Sequence, residues 1–406
     1  MTVDTPSRPA QAERRARAAV AVLFFTNGAL FANLLPRYPQ IKADLDMSNA
    51  VYGLAVAAFP AGALVAGLAA GAAIRRLGSA RAAVTGTLLT GAGILAAGLA
   101  DSVALFAGAL FLAGAMDSVT DVAQNAHGLR VQRRYGRSII NSFHAIWSIG
   151  AVAGGSMAAA AIALGLSRGQ HLTFSAVVFA IAACVALRFC LTGPENDRAP
   201  ESDGDGDGDG LVKRSAGPAV PGRRTVYVLA ALVLIATAGT LVEDAGSSWA
   251  TLYLSGSLQA SITLAAFGYI ALVGAQFVGR IIGDRLVDRF GQRTVARAGG
   301  LIAAAGMGLA LAVPTVPGTI LGFAAAGFGV ATLVPAAMHE ADELPGLKPG
   351  SGLAIVSWLM RLGFLASPPI VGLVTDATSL RAGLLVVPLA GLLAFLLAGV
   401  LRPRHR

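Results

Sequence analysis

Asp117, Asp121 and Asn125 stand at i, i+4 and i+8 in the stretch LAGAMDSVTDVAQNAHG, residues 112–128. On a helix that spacing lines three polar side chains along one face, two of them able to hold a proton. His144, in SFHAIWSIG at 142–150, lies beyond a short basic break. If two antiparallel helices meet at that break, His144 sits level with Asp121, and a carboxylate beside an imidazole is a proton-carrying pair. A structural hydrogen-bonding histidine is the plainer reading. Glu243 and Asp244 are adjacent, hence about 100° apart on a helix, so at most one of them is expected to face squarely into a shared site. They would serve as a second proton or solute site, or cap a broken helix end. Arg361 reads as the one basic residue far inside an apolar run. It needs an anionic partner, Glu243, Asp244, Asp117 or an anionic solute, and a structural ion pair is the simplest of these. Asn27, in the first apolar run, completes the set.

The surroundings of these residues are apolar. Hydrophobic residues make up 55% of the chain and charged residues 13%, with a mean hydropathy of +0.68, whereas a soluble domain carries about a quarter charged residues. Such a chain is a membrane protein. Twelve apolar runs are long enough to cross about 30 Å of hydrocarbon as helices. They lie near 18–36, 51–74, 82–100, 103–127, 139–165, 171–191, 225–252, 262–282, 294–313, 316–338, 352–374 and 380–401. The runs are much longer than barrel strands and lack their alternation, so the fold class is an all-α polytopic membrane protein with twelve transmembrane helices. A charge at mid-bilayer costs from ~2.5 to ~10 kcal/mol or more, so the acids face protein or a water-filled cavity rather than lipid. Interhelical hydrogen bonding that merely holds a bundle together is the alternative reading of the stripe.

The net charge of +9 follows the same frame. Lys and Arg cluster at 8–17, 75–81, 130–137, 188–224, 280–297 and 402–406, with Lys348 alone in the tenth connection. That places 26 on one side, four on the other (Arg37, Lys42, Arg168, Arg381) and Arg361 within a span. Basic residues accumulate on the cytoplasmic side, which puts both termini in the cytoplasm and the chain in the inner or plasma membrane. The bilayer is the implied partner, and no nucleic acid is. Residues 1–17 lead into the first span without a cleavage pattern, so that span is expected to be its own insertion signal. The domain order expected is a tail at 1–17, a six-helix bundle at 18–191, a linker at 192–224, a second bundle at 225–401 and a tail at 402–406. GPENDRAPESDGDGDGDG in the linker is by composition a flexible, self-repelling tether. Asp203, Asp205, Asp207 and Gly208 resemble the start of an EF-hand, but Arg214 stands where a bidentate Glu is required, so no metal site is expected.

The two bundles read as repeats. GAAIRRLGSAR after the second span and DRLVDRFGQRT after the eighth align Arg76 with Arg289 and Gly78 with Gly291. A parallel repeat of six spans, with a site near the midplane between the halves, is a transporter design. The loop GDRLVDRFGQR resembles the cytoplasmic loop signature of the major facilitator superfamily, with Asp288, Arg289, Gly291 and Arg293 at its main positions. Asp284 takes the place of the opening glycine, with Gly283 one residue early, and in the first half Arg75 replaces the acid. RYPQIKADLDMSNAVYG at 37–53, DVAQNAHGLRVQRRYGR at 121–137, SFHAIWSIG at 142–150, EDAGSSWATLYL at 243–254 and LKPGSGLAIVSWLMRLGFLASPPIVG at 347–372 resemble its YbjJ-like branch, itself similar to fucose-permease-like carriers. The resemblance runs over nearly the whole chain. It implies two pseudo-symmetric six-helix halves around a central cavity lined by the first, fourth, seventh and tenth helices. Asn27, Asp117, Asp121, Asn125, His144, Glu243, Asp244 and Arg361 are its candidate proton and solute residues. Arg76, Gly78, Asp288, Arg289, Gly291 and Arg293 are its candidate cytoplasmic gate. The small-xxx-small pairs Gly67 and Gly71, Gly150 and Gly154, and Gly279 and Gly283 lie on the second, fifth and eighth spans, which form the seam between halves in that superfamily.

A secondary active transporter is therefore expected: a monomer that moves a small solute by alternating access, coupled to protons, with no cofactor and no catalytic residue. A transporter-shaped receptor is one rival. The other is a membrane phosphotransferase using Asp117-x-x-x-Asp121 and Asp284-x-x-x-Asp288 as metal-binding pairs, which the interleaved Arg280, Arg285, Arg289 and Arg293 oppose. Few aromatic residues fall near the stripe, which argues against a large aromatic cation as cargo.

The topology is testable in a background with Cys184 and Cys190 replaced by serine. Asp205→Cys and Arg404→Cys should react in intact cells only with membrane-permeant thiol reagents, whereas Arg168→Cys should react with impermeant ones. The reverse pattern would invert the orientation.

Overall fold

The computed structural model describes residues 11–67, 69–135, 139–193, 222–345, 347 and 351–402. The tail residues 1–10 and 403–406, most of the linker with its EF-hand-like start, Lys348 and the side chain of Asp284 lie outside the described residues. Among the described residues, twelve helices are long and apolar enough to cross a bilayer. In the first half they are α1 (Gln11–Asp44), α2 (Asn49–Gly67), α3 (Ser79–Gly98), α4 (Val103–Tyr135), α5 (Ser142–Ala163) and α6 (Arg168–Leu187). In the second they are α7 (Arg223–Ser257), α8 (Ile262–Gly283), α9 (Gln292–Ala312), α10 (Val316–Asp342), α11 (Ser351–Ala377) and α12 (Leu380–Val400). Hydrocarbon offers the backbone no partners, so each segment satisfies its own amides as a helix.

The helix starts reveal the design of the two ends. A helix leaves its first N–H groups without intrahelical partners. All six even helices start at one end, and a hydroxyl meets each of them there. Ser48 accepts from the Val51 N–H, Ser102 from Leu105, Ser167 from Gln170, Ser261 from Leu264, Thr315 from Gly318 and Ser379 from Ala382, at 3.2–3.3 Å. At the opposite end α3 and α9 follow Gly78 and Gly291, whose φ and ψ are 80° and 153°, and 82° and 152°. Glycine alone adopts such positive φ cheaply. Both amides also close the helix before them, Gly78 on the Ile74 carbonyl at 2.8 Å and Gly291 on the Val287 carbonyl at 2.7 Å. The aligned loops of the two halves thus fold into the same turn.

The end holding these turns and the arginine clusters is here the basic end, and the opposite one the far end. Both termini of the bundle lie at the basic end: Arg17 donates to the Tyr135 hydroxyl at 3.2 Å, and Arg293 to the Leu401 carbonyl at 2.8 Å. Helices there outrun their apolar segments, α4 to Tyr135 and the α8 helix to Phe290. Arginine and glutamine are good helix formers that reach back to water, so polarity ends the apolar run without ending the helix. The second run is instead divided, with α2 ending at Gly67 and a short helix at Ala70–Leu77.

The halves meet at the far end. Gly53 of α2 lies against the Pro368 carbonyl of α11, and Gly372 of α11 against the Asn49 carbonyl, approaches that leave no room for a Cβ. Tyr52 donates to the Ser248 carbonyl of α7 at 2.7 Å, and its ring stands edge-on to Trp249 at 4.9 Å. Gly155 of α5 packs on the ring of Tyr269 of α8. Asp376, near the end of α11, accepts from the Asn49 N–H at 3.0 Å, the Asn49 side-chain amide at 2.8 Å and the Ala50 N–H at 2.7 Å. A carboxylate of one half thereby sits on the helix N-terminus of the other, where the helix dipole favours it.

The small-xxx-small pairs expected at this seam mostly work elsewhere. Gly150 and Gly154 pack on Phe25 and Ala29 of α1, and Gly279 and Gly283 on Ala331 and Thr332 of α10, all within one half. Gly71 borders Arg75 on its own short helix. Small residues thin contacts wherever helices cross, so their spacing marks a crossing without saying which one.

Replacing the latch carboxylate should loosen one helix start selectively. In Asp376→Ala, hydrogen–deuterium exchange of the first-turn amides of α2 should rise several-fold, while those of α4, capped by Ser102, stay unchanged. Equal exchange in variant and parent would show that Asp376 holds nothing.

Candidate functional site

Between the halves lies a cavity of about 430 Å³, walled by α1, α2, α4 and α5 on one side and α7, α8 and α11 on the other. No lining residue comes from α10, which the family pattern placed on the cavity. Its Gly- and Ala-rich length packs on α8 and α9 instead. Asn27, Asp117, Asp121, His144, Glu243, Asp244 and Arg361 all border the cavity.

Asn27 of α1 holds Asp117 and is itself held from α4 and α5. The Asn27 amide donates to its Oδ1 at 2.6 Å, and the Asn27 carbonyl oxygen accepts from the Trp147 indole at 2.8 Å and from Gln124 at 3.5 Å. These partners fix which way the Asn27 amide points. Asp121, one turn or about 6 Å nearer the basic end, is exposed to the cavity. It accepts from the Asn125 amide at 3.0 Å, and that amide also donates to the Asp121 carbonyl at 2.9 Å. Asn125 orients Asp121 and does not itself line the cavity, which corrects its place in the stripe. His144 is exposed in the same cavity and stands edge-on to Phe24, centroids 5.2 Å apart. Among the described residues no hydrogen bond joins it to Asp121, so the two share a compartment rather than a contact.

Both adjacent acids of α7 border the cavity, although their angular separation had left room for one. Glu243 is half-buried, accepts from the Gln276 amide at 2.7 Å and stands 3.6 Å from Arg280. Asp244 is buried, accepts from the Ser248 hydroxyl at 3.4 Å through Oδ1 and, among the described residues, has no hydrogen-bond partner at Oδ2. Neither caps a helix end, because the helix continues through them to Leu252.

Arg361 departs most from expectation. Among the described residues it makes no ion pair: Glu243 is held by Arg280, and the carboxylate whose charge it feels is that of Asp121. Arg280 was counted with the basic loop, yet it lines the cavity too, so Arg361 is not the only cation at depth. A break in α11 explains the position of Arg361. Met360 joins the helical pieces Ser351–Leu359 and Arg361–Ala377, and the Thr240 hydroxyl of α7 donates to the Met360 carbonyl at 3.0 Å. Arg361 thus begins a helix at an anchored joint, exposed to the cavity. Its guanidinium reaches across to α2, where a Cβ on Gly67 would meet it at 3.4 Å. Trp147, Tyr269, Gln276 and Arg280 were missed. Gln276 and Arg280 are i, i+4 on α8, the same spacing that identified the acid stripe.

The candidate gate residues gather at the basic end, apart from the cavity. Gly78 and Gly291 form the paired turns, Arg289 lies over the Phe290 ring at 5.4 Å, and Arg293 holds the Leu401 carbonyl. Asp288 is exposed and makes no ion pair among the described residues. Access to the cavity is one-sided. Asp121, His144, Arg280 and Arg361 are exposed towards the basic end, while Asp244, Ser248 and Trp249 are buried beneath the far-end contacts.

The family model described as the Major Facilitator Superfamily matches residues 20–285 and 232–406. An uncharacterised transporter of Sinorhizobium fredii is 30% identical over 383 residues, covering 94% of this chain and 97% of its own. A bacterial homologue of the human lysosomal transporter Spinster, in an inward-facing and unoccupied conformation, superposes with a TM-score of 0.72 at 13% identity over 96% of this chain and 98% of its own. A D-xylose–proton symporter superposes with a TM-score of 0.69 at 16% identity over 95% of this chain and 96% of its own. At these identities the structural likeness is one of fold.

One-sided access predicts one-sided chemistry. With the native cysteines removed, Ser247→Cys on the cavity wall should react with an impermeant maleimide supplied at the basic end and stay protected from one supplied at the far end. Faster reaction from the far end would contradict the observed opening.

Proposed function

This chain belongs to the Major Facilitator Superfamily and is a multi-pass membrane transporter, and we propose that it carries a small polar solute by alternating access, coupled to protons. The observation that carries this reading is the convergence of Asp117, Asp121 and His144 from one half with Glu243, Asp244, Arg280 and Arg361 from the other on a cavity open at one end. Charges are excluded from lipid, and a bundle that needed only structural glue would pair them off and leave no cavity between its halves.

The excess of basic residues supports a cytoplasmic basic end in the inner or plasma membrane, and in that orientation the open cavity faces inward. The inward-facing Spinster homologue, similar in fold, supports that assignment. The polar wall of Asn27, Trp147 and Tyr269 suits a solute with several hydrogen-bonding groups. Arg361, accessible and without a carboxylate partner, is the group that would receive an anionic part of it. The candidate gate of Arg76, Gly78, Asp288, Arg289, Gly291 and Arg293 closes this mouth in the opposite state, and the protein works as a monomer.

Coupling follows from the acid stripe. Sealing two carboxylates one turn apart away from water is disfavoured by desolvation and mutual repulsion, so closure over Asp117 and Asp121 requires that one of them take up a proton. Loading and closing are thereby linked. The proton-symporter neighbour is consistent with such a use of the fold.

A thermal-shift screen of the purified protein against sugars, acids and nucleosides identifies the solute, since a ligand that binds the folded state raises its apparent stability. In proteoliposomes, Asp121→Asn should abolish accumulation driven by a pH gradient while solute exchange survives, because exchange needs no deprotonation. Asp117→Asn tests which acid matters, and His144→Gln should move the pH optimum without abolishing exchange. Accumulation by both Asn variants under a proton gradient alone would make the stripe structural and move coupling to Glu243 or Asp244.

A further inference from the structure

Cations are scarce at the far end, and two of its four, Arg37 and Arg168, border one groove of about 950 Å³ that shares no lining residue with the central cavity. One wall belongs to the first half and includes Gln40 and Asp44; the other, with Ser255 and Ser261, belongs to the second. Arg37 is 2% exposed. Its guanidinium donates to His171 Nδ1 at 3.4 Å, to Gln40 Oε1 at 3.0 Å and to the Leu166 carbonyl at 2.9 Å. All three acceptors are neutral. His171 accepts at Nδ1 and so carries its proton on Nε2, 2.8 Å from Asn33 Oδ1, which adds no charge. Among the described residues the one acid lining the groove is Asp44, which Arg168 engages at 2.8 Å. The Arg37 charge is therefore buried without an anion among the described residues, and three of its five N–H groups are used. A buried cation ordinarily has a counter-charge, because neutral groups do not repay its lost hydration. The groove also receives the first turns of α6 and α8, whose N–H groups favour negative charge.

We infer that this groove is a binding site for a small oxyanion, a phosphate or carboxylate group, free in solution or borne by the headgroup of an anionic lipid. Arg37 supplies the fixed charge and Arg168 the accessible arm, for which Asp44 competes. The two walls belong to different halves, so an anion held between them favours the state closed at the far end. Occupancy then biases the transport equilibrium without entering the transport cavity.

The test uses the full-length purified protein and is independent of any transported solute. Inorganic phosphate, titrated in detergent at constant ionic strength against chloride, and vesicles of phosphatidylcholine with or without phosphatidylglycerol are the two probes. A rise in melting temperature with phosphate identifies the free anion as the ligand, and one confined to phosphatidylglycerol identifies the headgroup; either supports the site. Arg168→Gln should raise the half-saturating concentration of the active probe about tenfold, the scale of one charge-assisted hydrogen bond. Asp44→Asn, which frees Arg168, should lower it. No stabilisation by either probe, or equal responses in the parent and both variants, overturns the proposal.

Discussion

The carboxylate of Asp376, placed on the first amides of α2, is the contact on which the shape of the molecule turns. A helix start is electropositive and needs acceptors, and here the acceptor comes from the opposite half. The approach is possible because Gly53 and Gly372 carry no side chains where α2 and α11 cross. Directly beneath, Tyr52 and Trp249 fill the gap with rings. With this end shut, the cavity opens only towards the basic end. The stretch 37–53 supplies several of these parts, because the start of α2 is one of the places where the first half touches the second.

Below that closure, the two cations of the cavity differ in their partners. Glu243, half-buried, is held by Arg280 and Gln276, whereas Arg361 stands in the open cavity without a carboxylate. Water solvates an accessible guanidinium at little cost, so Arg361 stands in the cavity without an ion pair. The result is a cavity with Asp117 and Asp121 on the α4 wall and, on the α11 wall, Arg361, which makes no ion pair among the described residues.

Much of this was legible in the sequence, for identifiable reasons. Hydrocarbon thickness filters the spans so strongly that all twelve could be counted from apolar runs. The helical repeat of Asp117 and Asp121 identified a cavity face because charges cannot face lipid. Gly78 and Gly291 gave away the internal repeat because their shared positive φ restricts the position to glycine. Pairings across helices were not legible. That Arg280 rather than Arg361 meets Glu243 depends on how α7 and α8 pack, and that Asn125 supports Asp121 depends on rotamers. The seam glycines escaped notice because the same residue thins every crossing, and the absence of α10 from the wall required knowing its neighbours.

The hydroxyl caps of the even helices bear on how the chain enters the membrane. In the proposed orientation the far-end connections, 45–48, 99–102, 164–167, 258–261, 313–315 and 378–379, are the turns that must be carried across hydrocarbon. They contain no Lys or Arg, and Asp46 and Asp101 are their only charges. In each, a serine or threonine already accepts an amide of the helix that follows, so a pair of helices can be threaded as a hairpin whose tip has fewer bare donors to dehydrate. In that orientation the caps would lower the barrier to translocation at every second turn, and the glycine turns, staying in the cytoplasm, would have no need of them.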